Sequence, residues 1–226
     1  MKNIDKVRSI SKWIFFIPFI SVNACLLIIT NFHQILEPGV PINPTFPYFD
    51  GDVSISRTVR NFPMYLIFKP AMFITSLMLI YYWLQMKSVI EKFEKNYSHK
   101  KKIIVFGIGS AVLLIIHSIF LGIKIDNDIY KLFRRIVMLS FIIFELIAQA
   151  YLVNFLFNTK KKLTNYINIF FLKIKKILII LLISVSIIVL PFLPFDNFKF
   201  LNHALEWNVF LGVITFYLLS NFMWKK

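Results

Sequence analysis

Glu145 and Gln149 stand one helical turn apart inside an apolar run, and His117 interrupts another run. Helical rise places His117 and Lys69 roughly 10 Å below the ends of their runs, Glu145 roughly 15 Å below, and Gln149 about one turn deeper. With Asn23 they define a candidate polar layer at membrane depth: Asn23, Lys69, His117, Glu145 and Gln149. A carboxylate at that depth costs about 2.5–3.5 kcal/mol to insert, so it must be paired, protonated or turned into a bundle. Glu145 can do proton chemistry there, or Glu145 and Gln149 can merely join helices by hydrogen bonds. Lys69 can serve the same layer or extend its amine outward to the head groups.

His203 and Glu206 are three residues apart at the start of the last apolar run, on one helical face. An imidazole and a carboxyl at that spacing can share a proton and act as acid and base near a lipid head group. Glu206 can equally be a favourable charge at a helix N-terminus. The chain contains no GxSxG, no HExxH, no histidine followed five residues later by aspartate and no Walker loop. An enzyme here must assemble its site from several helices. Cys25 is the only cysteine, so no disulfide framework and no CxxC metal pair is available, and no cofactor or metal is expected.

The elements that position these residues follow from composition. A chain that is 58% hydrophobic and 16% charged has too little polar surface to coat a soluble domain of this size. The pattern predicts an all-α polytopic membrane protein: one six-transmembrane-helix bundle over 1–226, both termini cytoplasmic. Its spans are about 13–32, 62–84, 103–123, 136–157, 177–194 and 201–224, and residues 33–61 form a non-cytoplasmic loop. The net charge of +15 is a topology signal rather than a nucleic-acid footprint, because lysine is concentrated in blocks between apolar runs. Placing the two termini, Lys87–Lys102 and Lys160–Lys176 inward collects eighteen of the twenty-six Lys and Arg residues on one side, loop by loop. Within the second lysine loop, LTNYINIFF is expected to lie as an interfacial helix, and Pro191 and Pro194 to end span five. Pro38, Pro41, Pro44 and Pro47 punctuate the long loop, Asp50-Gly51-Asp52 reads as a turn, and Val53-Ser54-Ile55-Ser56 alternates like a short strand.

Spans two, four and six begin beneath the long loop, so their positive dipole ends converge there with Arg57, Arg60, Arg134 and Arg135 nearby. That arrangement suits a phosphate-bearing lipid head group. Arginines flanking ordinary spans and touching bulk lipid would look the same.

Three stretches together resemble the FRAG/DRAM/SFK family of six-span membrane proteins, which includes the factor that remodels GPI-anchor lipids. They are FPYFDGDVSISRTVRNFP from Phe46 to Pro63, Gln149-Ala150-Tyr151-Leu152 in span four, and Glu206-Trp207 followed by Phe216 and Asn221-Phe222 in span six. Near the start of span four, where the family tends to carry a histidine, this chain has Lys131 and Arg134. The resemblance implies binding or remodelling of anionic or GPI-type lipids. Glu206, His203 and His117 would be the acid and base candidates, and Arg57, Arg60 and Arg134 the phosphate ligands. It also leaves room for a non-catalytic adaptor whose lysine loops hold anionic lipid or a protein partner. A third class is a proton-coupled or small-solute transporter using Glu145 and His117. The lower halves of spans one, three and five offer few polar residues to line such a path.

Overall fold

A computed structural model describes residues 2–32, 36, 37, 39–123, 127–189 and 196–225. Long apolar helices account for most of it: α1 Lys2–Asn31, α3 Met64–Phe93, α4 Lys100–Phe120, α5 Asp128–Asn158, α7 Ile169–Val189 and α8 Lys199–Met223. Two short helices, α2 Ile55–Val59 and α6 Lys160–Leu163, sit in the connections, and no strand occurs among the described residues.

The long helices form a closed ring in chain order. Helix α1 packs on α3, α3 on α4, α4 on α5, α5 on α7, α7 on α8, and α8 returns to α1. Large aromatic side chains fill the interior, with Tyr82, Trp83, Phe155, Trp207, Phe216 and Tyr217 all buried. Close approach depends on small residues: a Cβ on Gly107 of α4 would lie 2.3 Å from the Trp83 ring of α3. The outer face carries exposed Ile20, Leu27, Leu66, Leu77, Val105, Ile143, Ile180 and Leu181. Each such side chain forgoes about 1.5–3 kcal/mol if left in water, a cost that lipid removes.

Five helices, α1, α3, α4, α5 and α8, are long and apolar enough to cross a membrane. By helix length and composition the chain is a multi-pass integral membrane protein. Helix α7 differs because Lys173, Lys175 and Lys176 lie inside it rather than in the loop before it. Its start explains this. Asn168 Oδ1 accepts from the Phe170 N–H at 3.0 Å and caps the helix. LTNYINIFF is accordingly not a helix of its own. It comprises the end of α6, a turn, an isolated bridge from Ile167 to Trp224, and the first residues of α7. Pro38, Pro191 and Pro194 lie outside the described residues.

The ring has a basic end and a loop end. At the basic end α1 meets α8: Arg8 Nε donates to the Asn221 carbonyl at 3.3 Å, and Asn221 Nδ2 donates to the Arg8 carbonyl at 2.7 Å. At the loop end residues 39–60 fold over the bundle. The expected short strand is replaced by α2, since Ser54 Oγ accepts from the Arg57 N–H at 3.2 Å and starts a helix. Ile55, Thr58 and Val59 then bury on one helical face, an arrangement that alternation cannot provide without a partner strand.

Candidate functional site

The loop is held by the first turns of α8. His203 Nδ1 lies 2.9 Å from the Gly51 carbonyl, Trp207 Nε1 donates to the Val53 carbonyl at 2.8 Å, and Asn208 Nδ2 donates to the Tyr48 carbonyl at 2.8 Å. The Glu206 carboxyl accepts from the backbone N–H groups of Ser56 and Ile55 at the start of α2. Gly51 is required there twice over. Its φ is +65°, and a Cβ would lie 1.8 Å from the Phe200 carbonyl oxygen. His203 and Glu206 thus share a helical face but each is bonded to loop backbone, and no hydrogen bond joins them.

The loop turn carries its own electrostatics. Burial pushes the Asp50 carboxyl up, but hydrogen bonds from Thr45 and from the N–H groups of Phe46, Asp52 and Gly51 outweigh it and hold the group below its ordinary value. The Tyr48 phenol is pushed up by burial, which its bond to Asn23 only partly opposes. That bond, 3.1 Å from Asn23 Nδ2 to Tyr48 Oη, ties Asn23 of α1 to the loop rather than to Glu145.

Beneath α2 lies a cavity of ≈ 80 Å³, several times the roughly 10–15 Å³ that one water needs. Apolar side chains such as Phe68, Met72, Leu114 and Phe210 form most of its wall. Its polar lining is Ser56 and Glu206 at the loop end, His117 and Thr75 along the side, and Glu145 and Tyr217 at the inner end. His117 Nδ1 is buried without a hydrogen-bond partner among the described residues, as is Nε of Arg134. Arg134 Nη2 reaches Ser56 Oγ at 3.4 Å, so its guanidinium stands beside Ser56 at the loop end of the cavity. Arg57, Arg60 and Arg135 are exposed at the same end. Lys69 points outward, with Nζ donating to the Ile119 carbonyl at 3.3 Å.

At the inner end the carboxyl of Glu145 is completely buried and fully occupied. Ser110 Oγ of α4 donates to Oε2 at 2.5 Å, Gln149 Nε2 donates to Oε1 at 2.9 Å, and the Tyr217 hydroxyl of α8 donates to Oε1. Gln149 Nε2 also reaches the Val213 carbonyl at 3.2 Å, so α5 is tied to α4 and α8 by the same cluster. Of the five residues expected to form one polar layer, Glu145 and Gln149 are brought together, and His117 shares their cavity. Asn23 and Lys69 turn elsewhere.

A second buried centre lies toward the basic end. Lys175 of α7 is 0% exposed. Its Nζ donates to Ser220 Oγ at 2.7 Å and lies 3.7 Å from the centre of the Phe216 ring. The Tyr82 hydroxyl comes within 3.4 Å of the same Ser220 oxygen, and the Tyr82 and Tyr217 rings meet edge to face at 4.9 Å. Sequence reasoning placed Lys175 in a basic loop. Its signal was the stripe Leu172, Lys175, Ile179, Leu182, whose spacing of three, four and three puts the lysine on the buried face.

The chain matches no family model, no curated protein and no solved structure.

Proposed function

We propose that this chain is a six-span membrane protein, both termini cytoplasmic, that binds an anionic lipid at its non-cytoplasmic face. The observation that carries the reading is the cavity. An apolar pocket runs inward from a loop end lined by Ser56 and Glu206, with Arg134 hydrogen-bonded to Ser56 and, on the wall, a His117 nitrogen without a partner among the described residues. An amphiphile matches that polarity, its acyl tail against Phe68, Met72 and Phe210 and its acidic head at Arg134, with Arg57 and Arg60 beside it. Lysine-rich connections at the opposite end support the orientation. The thirteen residues from Ile177 to Val189 continue α7 without a charge and support its counting as the sixth span.

The resemblance to the FRAG/DRAM/SFK family points in the same direction and extends the ligand class to GPI-type lipids. Binding is favoured over catalysis by a His203–Glu206 pair, because both side chains hold loop backbone. His117 is the remaining acid or base if turnover occurs.

Mass spectrometry of lipids copurifying in mild detergent tests the reading, with wild type compared against Arg57→Ala/Arg134→Ala and against the cavity-filling Leu114→Trp. An anionic lipid enriched on wild type and lost from both variants is the expected result. Bulk lipid retained equally by all three sinks the site and leaves the adaptor reading, in which the lysine connections hold a protein partner.

A further inference from the structure

We propose a second activity, independent of the lipid reading: the bundle carries protons between the loop-end cavity and the basic end, through Glu145 and Lys175. The lower halves of spans one, three and five offer few polar residues in the sequence, and the groups that line this half come from α3, α7 and α8. From the cavity the order is Glu145, Tyr217, Tyr82, Ser220 and Lys175, contributed by α5, α8, α3, α8 and α7. Glu145 and Tyr217 line the inner end of the cavity, so a proton that enters at the loop end, past Glu206 and His117, reaches the Glu145 carboxyl as the first group of the relay.

Two features distinguish this arrangement from helix glue. Lys175 has no ion-pair partner among the described residues, and a structural buried lysine is expected to have one. Its surroundings accept either protonation state. As an ammonium it donates to Ser220 and lies over the Phe216 ring, and as an amine it can accept from the Ser220 hydroxyl. The titratable groups facing Glu145 are Tyr82 of α3 and Tyr217 of α8, while α4 and α5 contribute Ser110 and Gln149. Facing Lys175, α8 contributes Ser220 and Phe216.

The transfer balances as an exchange of O–H and N–H bonds. A proton adds to the Glu145 carboxylate, which passes one to the Tyr217 oxygen as that phenol releases its own toward Tyr82. Tyr82 hands one to Ser220, and the Ser220 hydroxyl hands one to the neutral Lys175 amine. Lys175 then releases a proton to bulk water at the basic end. One proton has moved and each relay group is restored. Tyr217 to Tyr82 is the link without a hydrogen bond, so it limits the rate.

The test is proton uptake into phosphatidylcholine vesicles free of fatty acid, driven by a valinomycin–potassium potential and read with an internal pH dye. Wild type is expected to exceed protein-free vesicles. Glu145→Gln and Lys175→Met are each expected to slow uptake by at least about tenfold, equivalent to about 1.4 kcal/mol on the transfer barrier. Lys161→Gln, on the exposed basic surface, should leave uptake unchanged. Tyr82→Phe, which keeps the ring, covers the case in which a charge variant fails to fold, and should also slow uptake. Wild-type vesicles that match protein-free ones, or uptake unchanged in folded Lys175→Met or Tyr82→Phe, would overturn the proposal. Loss of copurifying lipid in Arg57→Ala/Arg134→Ala bears on the other reading only.

Discussion

Helix α8 carries two polar regions that use side chains in opposite ways. In its first turns His203, Glu206, Trp207 and Asn208 bond to the backbone of the loop and α2. About three turns deeper, Tyr217 and Ser220 bond to side chains of α5 and α7. Backbone partners cannot change protonation, so the first region fixes a shape. Side-chain partners that titrate can, so the second can exist in more than one state of charge. The same contrast separates His203 and Glu206, occupied by the loop, from His117, whose Nδ1 has no partner among the described residues.

The contrast can be tested by mutation. The largest effect is expected from Trp207→Ala, which removes a fully buried indole and its bond to Val53 and should cost about 3–5 kcal/mol. Thermal unfolding in detergent would read it, and a loss confined to protease sensitivity of residues 39–60 would show that the clamp is local. Tyr217→Phe should cost less, about 1–3 kcal/mol, because it withdraws one donor from a buried acceptor and leaves the packing. Lys175→Met comes next and sharpens the difference. An apolar chain of similar length replaces an unpaired buried amine, so the unfolding temperature should hold or rise even as the protonation chemistry is lost. A large fall would mean that Lys175 is structural.

The smallest effect is expected at Asp50. Its folded value lies below the ordinary 3.8, so its contribution is complete above that value and is lost as pH falls through the depressed one. Wild type should therefore exceed Asp50→Asn in stability near neutrality, and the two unfolding curves should converge in acid. A constant gap at all pH values would assign the effect to the shape of the turn instead of its charge.

The apolar runs announce the long helices because length and hydropathy are local properties, and Glu145 reads as deep because rise converts position to depth. Gln149 follows by one turn. What the sequence conceals is partner choice. Asn23 and Glu145 both qualify as intramembrane polar groups, yet Asn23 is tied to Tyr48 of a loop whose path over α1 depends on the Gly51 turn. Lys175 is hidden differently. Lysines near a span are attributed to topology as a block, and only the register of α7, set by the Asn168 cap, turns one of three inward. The alternation at Val53–Ser56 misleads because buried Val53 and Ile55 flank the extended N-cap Ser54, one preceding it and the other opening the helix.

The closure of the ring bears on how the protein is made. Arg8 and Asn221, 213 residues apart, join only after α8 has been synthesised, and α8 also brings Tyr217 to Glu145 and Ser220 to Lys175. Until then the Glu145 carboxyl and the Lys175 amine lack those partners, and the earlier helices form an open arc. Helix α8, made after the other five long helices, therefore closes the wall and supplies Tyr217 and Ser220 to the buried carboxyl and amine. A truncated or stalled chain would present uncompensated polar groups to the bilayer, the kind of defect that membrane quality control could use to tell finished molecules from unfinished ones.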